Sequence, residues 1–133
     1  MLRLRRMHRD ECGSAPAEFV MVGALLTVLT LSVMQLGLAL HIRNTVLDAA
    51  SEGARFGALA DNRLGDGVQR TRDLITSALG AGYAADVTAS YGTYLGHPSA
   101  VVIVRTPLPL IGLVGIDGGL EVSGHASVET LDR

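Results

Sequence analysis

Apolar and polar positions divide this chain into regions with different periods. From Phe19 to Leu40 runs "FVMVGALLTVLTLSVMQLGLAL", 22 residues without a charge. As a helix it measures about 33 Å, close to the hydrocarbon thickness of a bilayer. Its polar members are Thr27, Thr30, Ser32 and Gln35. Threonine and serine can return their hydroxyls to the helix's own carbonyls, which makes them tolerable in lipid. Gln35 costs more and is better placed against a neighbouring helix. The remaining chain is too short to wrap such a helix as a soluble core, so the run predicts a membrane-inserted segment.

No proline or glycine cluster stops the helix after Leu40, and the pattern becomes amphipathic. Ile42, Val46, Ala49, Gly53, Phe56 and Ala60 share one face of a helical wheel. Asn44, Asp48, Ser51, Glu52 and Arg55 lie opposite, with Glu52 and Arg55 at pairing distance i,i+3. One helix from about residue 15 to 60 would be roughly 65 Å long. Ala50, Gly53, Ala54, Gly57 and Ala58 thin part of its surface, inviting close approach by another helix or a sheet. The ordinary reading packs this face on the chain's own C-terminal region; the sharper one turns part of it toward other subunits.

"DNRLGDG", residues 61–67, breaks the pattern. Asp66 is then read as the cap of a second helix with Gln69 as reciprocal partner, and Val68, Thr71, Leu74, Ile75, Ala78 and Leu79 as its stripe. Gly80 to Gly82 ends it. Period two follows at Val87, Ala89 and Tyr91, a loop at "GTYLGHPS", a continuous apolar strand at Ala100–Val104, and alternation again from Leu120 to Val128. The fold class predicted is α+β: a long N-terminal helix, a second short helix and a small antiparallel sheet of three strands. Its divisions are a basic leader (1–13), a transmembrane helix (14–40) and an extracytoplasmic domain (41–133). The connection before the last strand holds Leu108, Leu110, Ile111, Leu113 and Val114, a surprisingly apolar loop. It is either a contact site or a buried plug.

Charge orients the membrane segment. Residues 1–13 carry Arg3, Arg5, Arg6 and Arg9 against Asp10 and Glu11, while the part after Leu40 is net acidic, within an overall charge of −2. Basic residues are retained in the cytoplasm, so the N-terminus stays inside and the C-terminal part crosses. The acidity and the lack of a basic stripe exclude nucleic acid as a partner. Cys12 is the single cysteine, so no disulfide can form, and its position before the apolar run argues against an acylated lipoprotein. His8, His41, His97 and His125 lack ligand spacing. No phosphate loop or nucleophile elbow occurs, and His125 is read as a solvated residue on a strand's polar face. The expectation is a non-enzyme without metal or cofactor.

The junction ahead of the apolar run remains. Ser14 can serve as N-cap, Pro16 falls in the first turn, and Glu18 lies near the positive end of the helix dipole. Helix capping thus explains an acid there, but not Gly13 and the small residues around it. "G-S-A-P-A-E-F" before an apolar helix resembles the processing site of the type IVb prepilins and pseudopilins of tight-adherence (Tad/Flp) pili. "RNTVLDAASEGARFGA", residues 43–58, is similar to a segment of TadE-like proteins, and "VIVRTPLPLIGLVG…LEVSGHASVE" resembles that family's ending. The resemblance implies a pilin-like minor pseudopilin or assembly component, cut by a prepilin peptidase between Gly13 and Ser14. Glu18 and Phe19 would then be the register and assembly residues near the new N-terminus. It also implies other pilin subunits, the pilus assembly machinery, the peptidase and the bilayer as partners. Pro16 departs from the pattern and bears on the rate of cutting. Two other readings compete: a secreted binding module with a signal peptide cut after Gly37-Leu38-Ala39, and a membrane-tethered domain that is never cut.

Overall fold

A computed structural model describes residues 13–108 and 116–129. Helix α1 spans Ser14–Ala58 and helix α2 spans Leu64–Leu79; a single 3₁₀ turn follows at Ala81–Tyr83. Strands β1 (Asp86–Tyr94), β2 (His97–Leu108) and β3 (Ile116–Ser127) form one antiparallel sheet in the order β1-β2-β3. The architecture is the expected α+β one. The chain divides at Met34/Gln35 into two compact units.

The described part of the first unit is helix alone. Its apolar stretch is long enough to cross a membrane, and none of that window is buried by protein. Thr27 donates its hydroxyl to the Gly23 carbonyl at 2.8 Å, Thr30 to Leu26 at 2.8 Å and Ser32 to Val28 at 2.7 Å. These hydroxyls are satisfied inside the helix, which is what hydrocarbon surroundings require of them.

In the second unit, two ridges of α1 enter the core. Ile42, Val46, Ala50, Ala54 and Ala58 recur every four residues, and Ala49, Gly53 and Gly57 form the row beside them; all are buried. Ile75 of α2 and Val87, Val102, Val104 and Val122 of the sheet complete the core. Each fully buried valine or isoleucine contributes about 1.5–3 kcal/mol. Two neighbours share the helix, so its buried stripe is wider than a single-face wheel allows, and it is rotated from the expected one. Phe56 is 38% exposed and Ala60 lies past the helix end. Glu52 also turns away from Arg55 and meets Arg70 at 3.8 Å instead.

Helix α2 begins earlier than its cap signal suggests. Arg63 is the N-cap, and Asp66 sits three residues on, its carboxylate accepting the Arg63 N–H at 2.8 Å. Asp66 is thus the reaching-back member of the motif, and Gln69 pairs with Asp73 at 2.8 Å. Gly80, at φ 105°, ends the helix with its N–H on the Thr76 carbonyl.

The strands are longer than their alternation implied. Register runs from Asp86↔Arg105 to Tyr94↔His97, so "GTYLGHPS" is mostly strand and only Leu95 and Gly96 turn. Their φ values, 51° and 82°, are both left-handed, as a two-residue type I′ hairpin requires. Leucine in that region costs about 1–2 kcal/mol. At the other end β2 reaches Leu108, which is half-buried and pairs with Ile116 after a register shift. "IDGG", which lies ahead of the strand start expected at Leu120, opens β3. Leu110, Ile111, Leu113 and Val114 of the expected contact loop lie outside the described residues.

Candidate functional site

Two sets of residues singled out by the sequence are brought together, each in its own unit. At the start of α1, Gly13 immediately precedes the helix, and Gly13, Ser14, Glu18 and Phe19 are all exposed, Phe19 by 80%. Ser14 is the first helical residue, and its hydroxyl donates to Glu18 Oε1 at 2.7 Å. This differs from the expected N-cap, in which the hydroxyl oxygen would accept a backbone N–H. The i,i+4 spacing explains the change, since it stacks the serine directly beside the carboxylate. Glu18 stands beyond the first turn, so its contact with Ser14 is more direct than any with the helix dipole. Pro16 falls in the first turn, where the helix needs no N–H from it.

The second set is the small-residue face of α1. Ala50, Gly53, Ala54 and Gly57 are all buried, against the chain's own α2 on one ridge and β3 on the other. A Cβ on Gly53 would collide with Thr71 Oγ1 and stand 2.6 Å from the Gly67 carbonyl oxygen. One on Gly57 would come within 3.4 Å of Gly67 Cα. The two helix backbones therefore nearly touch. Thr71 closes the crossing: buried, it donates to Gly67 O at 2.9 Å, with Ala49 O at 3.4 Å. On the other ridge a Cβ on Gly124 would strike the backbone of Ala50 and Ser51.

Gly67, Thr71 and Gly124 are the partners that reading the sequence missed. An isolated glycine within a strand signals close backbone approach, and Gly124 carries that signal. Gly67 was read as part of a turn. Thr71 was placed in the α2 stripe, with nothing to mark it as a bridging group.

His125 is exposed on β3, as expected, but not merely solvated. Its ring stacks on Tyr94 with centroids 4.6 Å apart and planes 13° from parallel, and its Nε2 lies 3.2 Å from Ser123 Oγ. Among the described residues no group of three or more His, Cys, Asp or Glu side chains is placed to hold a metal ion.

A small α+β unit on a helix whose leading half is long, apolar and compatible with membrane anchoring defines a helix-anchored α+β protein. Residues 13–55 match the family model described as TadE-like protein. The TadE-like resemblance therefore holds over the leading helix and points to a Tad pilus-related role. No curated protein and no solved structure matches the chain.

Proposed function

We propose that this chain is a minor pseudopilin or assembly component of a Tad (type IVb) pilus, cut after Gly13 by a prepilin peptidase. It lies in the cytoplasmic membrane with its N-terminus inside and its C-terminal part outside, and it enters the extracellular pilus after processing. Its work is structural, by contact with pilin subunits and the assembly machinery, and it performs no catalysis. The observation that carries this reading is the TadE-like match over residues 13–55, which begins at the glycine preceding the helix. The exposure of Gly13 and Ser14 supports access by a peptidase. An α1 unbroken through Gly37-Leu38-Ala39 favours an anchor over a signal peptide removed there.

Glu18 gains its role from the cut. Cleavage creates an amino group on Ser14, one turn from the carboxylate. In a stack of subunits Glu18 pairs with such an amine, because an unpaired carboxylate in low dielectric is strongly penalised. Glu18→Ala should leave membrane insertion intact and weaken incorporation into pili; unchanged pilus assembly would reject the role. The proposal as a whole is tested by sequencing the N-terminus of the protein from native membranes. Ser14 is the expected first residue, and Met1 or Leu40 would overturn the processing.

A further inference from the structure

The second unit has two ends, and the packing of its elements shows which residues lie at each. Gly124 of β3 packs on Ala50, and the Glu129 N–H donates to the Ala58 carbonyl at 3.1 Å. Strand β3 therefore runs in the same direction as the second half of α1. Going back along the ladder from the Val102–Gly124 pair to the Leu108–Ile116 pair reaches a level with the last turn of the apolar run, about residues 37–40. Helix α2 runs the other way, since Gly67 meets Gly57 while Thr71 meets Ala49. Its last residue, Leu79, is therefore level with about residue 41 of α1. The 3₁₀ turn Ala81–Tyr83 and the start of β1, where Asp86 pairs with Arg105, follow at this same end.

That end is free of charge over two long stretches. Residues 74–85 and 106–116 contain no acidic, basic or histidine side chain. Ala81, Gly82 and Ala85 are exposed, and Tyr83, Pro107 and Leu108 are half-buried. His41, Arg43, Asp86 and Arg105, all exposed, stand only at its margin. The opposite end is built otherwise: Asp61, Arg63 and Asp66 lie where α1 gives way to α2, Glu129 follows β3, and all four are exposed. An end that meets water has no reason to exclude charge, and that one does not. The apolar run of α1 stops at the charge-free end. Where such a run stops, hydrocarbon gives way to headgroups. Tyr83, with an apolar ring and a polar tip, is the kind of side chain that this boundary collects.

We propose that the charge-free end of this unit, Gly80–Ala85 with Pro107 and Leu108, rests on the lipid bilayer beside α1. The contact is shallow: the small residues let the surface approach the headgroups, and Tyr83 and Leu108 reach the acyl boundary. It gives the unit a second hold on the membrane and fixes which way its charged end faces. The inference rests on anchoring by α1, and not on cutting at Gly13.

The chain has no tryptophan, so one introduced indole reports alone. Full-length variants Leu38→Trp, Ala81→Trp, Tyr83→Trp and Leu95→Trp are reconstituted in vesicles of phosphatidylethanolamine and phosphatidylglycerol. Each is compared with and without phosphatidylcholine brominated on its acyl chains, which quenches an indole it touches. Leu38→Trp, inside the apolar run, should be quenched most. Ala81→Trp and Tyr83→Trp should lose at least half of their emission, and Leu95→Trp, at the opposite end, should keep its own. Adding Ala81→Asp to Tyr83→Trp should cut the quenching at least twofold, because a carboxylate keeps its water; protease resistance of the unit checks that it remains folded. Quenching at Leu38 without quenching at 81 and 83 would overturn the contact and leave the anchor standing. An unquenched Leu38→Trp would overturn the anchor and the contact together. Equal quenching at 81 and 95, or no effect of Ala81→Asp, would also overturn the contact.

Discussion

The two halves of α1 share a backbone and little else. Residues 14–40 present large side chains such as Phe19, Leu25 and Leu29, each more than half exposed. Residues 41–58 set alanine and glycine where the helix meets its neighbours, and those positions are fully covered. The glycines make the contrast sharpest. A Cβ on Gly23 or Gly37 would meet nothing within 4 Å, whereas one on Gly53 would run into α2. Side-chain size therefore marks the environment each half is built for. Large apolar groups suit a fluid hydrocarbon solvent that adapts to any contour, and small ones suit a fixed protein surface that approaches to backbone contact.

Substituting glycine in each half should expose this difference most strongly. Gly53→Val forces the branched side chain against Thr71 and the Gly67 carbonyl, and overpacking against backbone costs about 3 kcal/mol or more. That is a large share of the 5–15 kcal/mol typical of a folded domain. For a unit this small it lowers the melting temperature by more than about 12 °C. Gly37→Val, made in the same helix, should leave stability within about 0.5 kcal/mol. Thermal melts of the full-length protein in detergent, followed by protease resistance of the C-terminal unit, would compare them. Equal effects would mean that the two halves do not differ as claimed.

A charge should show the converse. Leu29→Arg, near the centre of the apolar run, disfavours insertion by about 2.5–3.5 kcal/mol. The expected result is a large rise in the fraction of protein extracted from membranes by alkaline carbonate. Asn44→Arg, on the exposed face of the second half, should extract like the wild type.

The same contrast explains what could be read from the sequence. The apolar run, the small-residue face and the period-two strands were legible because each is a repeated local pattern. Phe56 was misplaced because a wheel with one buried face cannot represent a helix shared by α2 and β3. The β1–β2 turn was hidden because its residues are Leu95 and Gly96, without the asparagine that usually marks such a hairpin. "IDGG" misled in the opposite sense: its glycines interrupt the alternation, so the last strand was started at Leu120, four residues late. At the helix start, Ser14 and Glu18 were read separately, as a cap and a dipole contact, and their hydrogen bond was missed because whether the serine hydroxyl donates or accepts depends on where the first turn begins. The hidden turn yields a prediction of its own. Leu95→Asn removes the left-handed penalty and should raise the stability of the unit by about 1 kcal/mol, a gain of about 4–8 °C in the same melts. No gain would mean that the turn relaxes in solution and holds no strain.

The smallest effect belongs to a charge placed where water reaches it. Arg105 Nε donates to Glu121 Oε2 at 2.7 Å on the outer face of the sheet, with both side chains about half exposed. The hydrogen bond Arg105 donates to Glu121, then the Glu121 charge, raises the Arg105 pKa above its ordinary value; desolvation opposes this and Asp86 adds to it. A raised pKa stabilises the fold fully below the unfolded-state value and is lost only as pH rises through the folded one. For arginine both lie far above neutrality, so this pair contributes no slope between pH 6 and 9. Exposed pairs of this kind are commonly worth nothing measurable. Arg105→Gln should therefore leave the melting temperature unchanged across that range, in contrast to the arginine introduced at Leu29. A pH-dependent loss would mean that another part of the chain covers the outer face, and the strongest division in this molecule, between surfaces built for water and for lipid, would need redrawing there.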